Sequence, residues 1–338
     1  MIIFERFFIL EIVTLYIQLI GCVNHMETIN AQIIINKIED HDAQWLYHHF
    51  SESFQEVSSF EELEKLLSNY NALRGENNLY RHLNINRQDE YIWFDNKMAT
   101  GASVTLNKYQ EIVGMSLLPI GHNHNAKHTK YSYTIPIKEP CLVYWGGDNE
   151  LTNDHHRFKQ QRHALDLVRV KDGYTYKGNP NECENYYSYG TSIVAPANGV
   201  VEAIVDGIPD NLPGDSNTVH PEGNYIIIKH GRNEYSMIAH IKPYSFKIEK
   251  GDMLLRGQHI AEVGNSGNTP EPHIHFQVMK DKHIQATQTL KIQFQNVTAP
   301  VKGDIVTYKG DSIVVKEKHE LSKLAKGIRS NITHLFKS

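Results

Sequence analysis

The chain has 338 residues, 40% of them hydrophobic and 22% charged, with a formal net charge of −5. That is ordinary for a soluble globular protein long enough for two domains, and the acidic balance, without a basic cluster interleaved with aromatics, speaks against a nucleic-acid partner. Three cysteines (Cys22, Cys141 and Cys183) match neither a disulfide framework nor a Cys-x-x-Cys zinc site, whereas twenty histidines keep metal chemistry in view. With Cys22 used elsewhere the other two can pair, although nothing in the sequence requires it.

The first predicted element is "FFILEIVTLYIQLIGC", a mostly apolar run ending at Cys22. It is shorter than the roughly 20 residues that span a bilayer as a helix. Arg6 precedes it, and residues 1–25 read as a signal peptide. Leu-Ile-Gly-Cys resembles the lipobox at which bacterial lipoproteins are cut and acylated, which implies an exported chain, either in the cell envelope, anchored through its N-terminus or an acylated Cys22, or extracellular. Glu5, Glu11 and Gln18 depart from that pattern, and an uncut anchor or a start at Met26 are the alternatives.

Residues 30–120 read as an α+β module. "DAQWLYHHFSESF" places Trp45, Leu46, His49, Phe50 and Phe54 at helical spacing, and "SFEELEKLLSNYNAL" does so again, with Ser59 three residues before Glu62 as in a capping box. After Gly75, "EYIWFDN", "ASVTL" and "IVGMSLLPI" carry strand patterns separated by turn residues. Two helices followed by a meander resemble in texture the nuclear-transport-factor-like domains that precede bacterial secreted enzymes. His122, His124 and His128 lie in a polar stretch with no carboxylate nearby and read as linker.

From 135 to 300 the chain is strand and turn, with no long amphipathic helix, and an antiparallel β domain with one face available for a site is expected. Residues 301–338 read as a C-terminal tail, with a short charged helix or frayed end from about 317. Within the β domain, "PEPHIHFQV" puts His273 and His275 on one face of a strand, about 6.5 Å apart. At that spacing one imidazole can bind a metal while the other stands beside a metal-bound water.

The blocks "GTSIVAPANGVVEAIVDG", "GNYIIIKHG", "MIAHI" and "GNSGNTPEPHIHFQV" succeed one another in an order and spacing that resemble the lysostaphin-type (LytM-like) zinc metallopeptidases. The resemblance implies a β-sheet groove holding one Zn2+ and a zinc-bound water that cuts peptide bonds of bacterial cell-wall peptidoglycan cross-links. By the same resemblance Asp166 and His275 match metal ligands, His273 the histidine that holds the water, and His240 the one that shuttles a proton or steadies an oxyanion. A catalytic zinc takes three such protein ligands and leaves one position open. The family's His-x-Gly-x-Asp histidine is replaced here by Arg162 in "QQRHALDLV". "WGGDNELTNDHHRFKQQRHALDLV" is similar to a branch of the family in which an Asn-x-His histidine substitutes, which points to His155; His163 and His156 stay open as alternatives.

The fold class expected is thus an α+β N-terminal module followed by a mainly-β, antiparallel-sheet lysostaphin-type peptidase domain. The function expected is an exported zinc metalloendopeptidase. A catalytically inactive domain that regulates other cell-wall hydrolases is the rival, kept alive by Arg162. A histidine-rich surface protein with several weak metal sites is a third reading. Cys183 is too isolated for a nucleophile, and His230 reads as a strand-end hydrogen-bonder.

Overall fold

Asn30 starts the first helix by accepting hydrogen bonds from the backbone N–H groups of Gln32 and Ile33, satisfying donors that a helix terminus leaves over. The computed structural model describes residues 28–121, 126–295, 299–309 and 312–316. The signal segment, Cys22, His122, His124 and the stretch after 316 lie outside them. Four helices come first: α1 (Ala31–Glu39), α2 (Ala43–His48), α3 (Glu52–Gln55) and α4 (Phe60–Leu73). Both halves of the Ser59–Glu62 capping box form at the start of α4. The sequence pattern does not announce α1, because Ile33–Ile34–Ile35 is a β-branched run. Its helix is held by burial of Ile34, Ile35 and Ile38. Nor is 42–54 one helix: Phe50 bridges Ile112 between α2 and α3, and Ser51 caps the second piece.

Strands β1 (Asn77–Ile85), β2 (Gln88–Asp95), β3 (Thr100–Leu106) and β4 (Ile112–Pro119) form an antiparallel meander. The helices pack on one of its faces around Leu46, Leu63, Leu67, Trp93 and Val104.

The rest of the chain supplies β5 (His128–Tyr133), β6 (Cys141–Trp145), β7 (Leu165–Val168), β8 (Ser192–Val194), β9 (Gly199–Val205), β10 (Asn224–His230) and β11 (Glu234–Ile241). It continues with β12 (Met253–Leu254), β13 (His259–Glu262), β14 (Ile274–Met279), β15 (Lys291–Phe294), β16 (Ile305–Lys309) and β17 (Ser312–Lys316). Nine of these form one sheet in the order β12-β9-β10-β11-β14-β7-β6-β16-β17, every pair antiparallel. Two departures from expectation concern its margins. His128 opens a strand that pairs parallel with β15, so the stretch before 135 is not only linker. Residues 305–309 and 312–316 belong to the sheet, so the chain beyond residue 300 does not turn into a tail at once. Cys141 and Cys183 are both free thiols, not a pair.

Strand β14 sits inside the sheet, between β11 and β7. Alternation sends Ile274, Phe276 and Val278 into the main core, so His275 and Gln277 take the other face, beside Met237 and Ala239 of β11. Two glycines set the turn beside that face. Gly223 has φ +59°, and a Cβ there would come within 2.2 Å of the Ser266 carbonyl oxygen; Gly267 has φ +94°, and a Cβ there would meet the Gly223 nitrogen at 2.4 Å. The "GN" and "GNSGN" blocks are therefore two turns packed backbone to backbone, which needs glycine at both points.

The helical module and the β domain meet along a polar seam. The Lys302 ammonium is 3.0 Å from Glu90 of β2 and 3.5 Å from the centre of the Trp145 ring, with the side chain almost wholly buried. Arg81 of β1 lies 3.2 Å from Asp304. The turn between β1 and β2, Asn86–Arg87, reaches the 171–176 loop, and Leu151 packs with Ile92, Phe94 and Ile120.

Candidate metal centre

The pairing of β14 with β7 sets His275 opposite Asp166, and the pairing with β11 sets it opposite Ala239, immediately before His240. Asp166, His240 and His275 thus come from three neighbouring strands, His273 from the residue just before β14, and His155 from a short 3₁₀ turn. His275 Nδ1 lies 3.0 Å from one Asp166 oxygen, and His155 Nε2 lies 2.9 Å from the other. One donor atom from each of these three residues falls within 4.8 Å of the others. His273 Nε2 is 3.6 Å from Asp166, and the His240 ring is centred 4.7 Å from that of His273 and 6.0 Å from that of His275.

His155 arrives on a loop, and the reason is Asn153. This fully buried side chain donates to the carbonyls of Gly147, Arg162 and Ala164 while its oxygen accepts from the His155 backbone N–H. It welds the short 3₁₀ turn Asp154–Arg157 to the start of β7, so an Asn-x-His spacing delivers the imidazole to Asp166. His163 and His156 go elsewhere. The His163 ring borders a cavity lined by Asp148 and Lys291, and burial pushes it down to about 4. His156 Nδ1 faces Glu150. Arg162 donates to the His156 carbonyl and borders a basic pocket with Lys127, Lys159 and Lys280, away from Asp166.

The protonation pattern follows from the partners. Burial alone would raise the Asp166 carboxyl, yet the neighbouring His155 and His273 charges and the hydrogen bonds from His155 and His275 hold it well below the usual carboxylate range. Burial, with His273 and His275 beside it, holds His240 well below the ordinary imidazole value. A carbonyl only accepts, so His240 Nδ1, 2.8 Å from the Ser266 oxygen, carries the ring hydrogen; the same holds for His273 Nδ1, 2.9 Å from the Glu271 oxygen. In the His240 ring, held neutral by these surroundings, Nε2 is then the free base. His240 also sits at φ +62°, a left-handed conformation for a non-glycine residue, of the kind that persists where surrounding structure over-determines it.

Two glutamines join the site without having been expected there. Gln161 Oε1 stands 3.1 Å from His155 Nδ1, and Gln277 Oε1 stands 3.1 Å from His275 Nε2. Each accepts from the ring nitrogen turned away from Asp166 and so fixes which nitrogen faces a metal. Gln277, two residues after His275 on the same strand face, was legible in the alternation; Gln161 was not. The donor set of two imidazoles and a carboxylate suits Zn2+, and beside it lies a cavity of about 170 Å³ bordered by His155, His240, His275, Phe158 and Met237. Gln161→Ala and Gln277→Ala should each weaken Zn2+ binding by about 10- to 100-fold, read by competition with a chelator of known affinity. Unchanged affinity in both would show that the glutamines do not orient the rings.

The sequence profile of Peptidase family M23 matches residues 185–287, a stretch that begins after His155 and Asp166. Over 94 residues, 26% of this chain and 21% of the relative, the chain is 35% identical to the peptidoglycan DD-endopeptidase ShyA of Vibrio cholerae. It is 24% identical over 165 residues to ShyC of the same organism, covering 48% of this chain and 35% of that one. The matches therefore span about a fifth to a third of these relatives. Among solved structures, the catalytic domain of lysostaphin from Staphylococcus simulans is similar, at 16% identity, over 45% of this chain and 88% of that one with a TM-score of 0.27.

Proposed function

We propose, from the premise that residues 185–287 are a domain of peptidase family M23, that the chain is an exported zinc metalloendopeptidase acting on the peptide cross-links of bacterial peptidoglycan. The observation that carries the reading is Asp166 held between His155 and His275 with two further histidines, His240 and His273, turned toward the same place. The names of the relatives, peptidoglycan DD-endopeptidases, support the substrate class. The apolar N-terminal run ending at Cys22 supports export and an envelope location, with acylation of that cysteine as the anchor.

His155, Asp166 and His275 would hold the metal. When bound, zinc lowers the pKa of a water and polarises the scissile carbonyl. The protein's own groups do the rest. His273, its Nδ1 donating to the Glu271 carbonyl, presents Nε2 3.6 Å from Asp166, where it orients the attacking water and takes its proton. His240, fixed by the Ser266 carbonyl with its ring centred 4.7 Å from that of His273, takes that proton over on its unprotonated Nε2; the protonated ring then steadies the developing oxyanion and passes the proton to the leaving amine, which leaves both rings neutral again. The Phe158, Met237 and Ile284 side chains border the cavity and keep bulk water from part of it.

The test is digestion of purified peptidoglycan with release of new amino termini. Chelation should reduce the release below about 1% of the parent rate, and stoichiometric zinc should restore it. One zinc per chain with no release would favour the inactive regulatory domain, and several weakly held ions would favour a histidine-rich surface protein.

A further inference from the structure

The turn between β1 and β2 belongs to the helical module, yet a chain of hydrogen bonds joins it to the residue that holds His273. Asn86 (φ +52°) and Arg87 (φ +62°) form a two-residue hairpin turn in which both residues are left-handed, with arginine where glycine is favoured. The turn is gripped from outside. The Asn86 backbone N–H donates to the Gly173 carbonyl at 2.8 Å, and the Asn86 side chain donates to Thr175 Oγ1 and accepts from the Thr175 N–H, both at 2.9 Å. Arg87 Nε donates to the Tyr174 hydroxyl at 2.8 Å. Thr175 Oγ1, having accepted from Asn86, donates onward to the Glu271 carboxylate at 2.9 Å. Glu271 lies between Pro270 and Pro272, so its backbone has little freedom, and its carbonyl takes the hydrogen of His273 Nδ1.

We infer that the helical module is a working part of the catalytic site, with Asn86 as a positioning residue that orients His273 through the chain Asn86–Thr175–Glu271. The inference rests on the proposed hydrolase function for the role of His273. A side chain that only glued two modules together would have no need to end on the residue whose carbonyl selects the tautomer of that histidine. A hydroxyl that accepts from one neighbour and donates to the next transmits orientation along the chain of bonds. The module thereby bears on turnover from outside the groove, and a ligand that pulled on the hairpin would act on His273.

The experiment uses the zinc-loaded full chain and its Asn86→Ala, Thr175→Val and Thr175→Ser variants. Asn86→Ala and Thr175→Val should each lower kcat by about tenfold with KM within about twofold and zinc stoichiometry unchanged. Thr175→Ser, which keeps the hydroxyl, should stay near the parent. The Asn86→Ala/Thr175→Val double variant should be no slower than Thr175→Val alone, since both remove one chain of bonds. Ring-nitrogen NMR provides a readout independent of turnover: the His273 resonances should move in Asn86→Ala and not in Thr175→Ser. Unchanged or faster turnover in Asn86→Ala, multiplicative loss in the double variant, or unmoved His273 resonances would overturn the inference. Should the parent hydrolyse nothing, the proposed function fails, while the His273 resonances still decide whether Asn86 positions that ring.

Discussion

His155→Ala should leave the chain without bound zinc and lower peptidoglycan hydrolysis by at least about 10³-fold, while His163→Ala keeps both. The two histidines are near neighbours in sequence and both lie within reach of Asp166 along the chain, so the comparison isolates geometry. His155 Nε2 stands 2.9 Å from Asp166, its Nδ1 is held by Gln161, and Asn153 fixes its backbone. Its removal leaves a buried carboxylate and His275 as the remaining pair of donors, one fewer than a catalytic zinc takes from protein. The His163 ring instead borders a different cavity, which His155 does not line, and the contact of His163 with Thr289 is made by its backbone N–H, which alanine keeps. Elemental analysis of both variants reads the metal directly. Zinc retained in His155→Ala and lost in His163→Ala would reassign the ligand without removing the enzyme; retained in both, it would move the site away from this loop.

His240→Ala should keep its zinc and lose about 10²- to 10⁴-fold in kcat, the span associated with a positioned general acid–base group or an oxyanion donor. The separation of binding from turnover follows from position. The His240 nitrogens are not among the donor atoms grouped around Asp166, and the ring is tied by the Ser266 carbonyl to the turn that Gly223 and Gly267 allow. Alanine also relieves no strain at φ +62°, so the backbone keeps its demand on that turn. KM should change little, because the ring acts on charge that develops as the bond breaks. A variant with parent-like kcat would remove His240 from the reaction. One that loses its zinc would make the residue part of the metal's support.

What the sequence discloses here divides along physical lines. The β-domain blocks are legible because glycine, asparagine and proline have backbone reasons to be where they are. Gly223 and Gly267 permit a backbone approach that no side chain allows, and His-x-His follows from a period of two. The capping box of α4 is legible for the same local reason. Helix α1 is not, because three successive isoleucines favour a strand and only burial in the cluster it shares with α2 and α4 overrides that preference. Nor was the parallel pairing of β5 with β15 or the return of residues 305–316 to the sheet, since strand partners far apart in the chain leave no mark on either segment. At the candidate metal centre, Asp166 and His275 announce themselves by motif. Gln161 and the Asn86–Thr175–Glu271 contacts do not, because a glutamine or a threonine in a loop gains meaning only from what folds beside it.

Lys302 carries a last consequence, for how the molecule comes apart. Its ammonium is buried between Glu90 of the helical module and the Trp145 ring, and burial pulls its pKa below the ordinary lysine range against the pull of Glu90. Unfolding the helical module alone would break this pair and the Asn86–Thr175 hydrogen bonds and would expose the apolar contact of Leu151 with Ile92, Phe94 and Ile120. Arg81 facing Asp304 repeats the arrangement nearby. Partial denaturation along this seam is therefore penalised, and heat should melt the two halves in one cooperative transition. A protease in the surrounding medium would then meet either the whole protein or a fully opened chain, with little of the half-unfolded form that is easiest to nick.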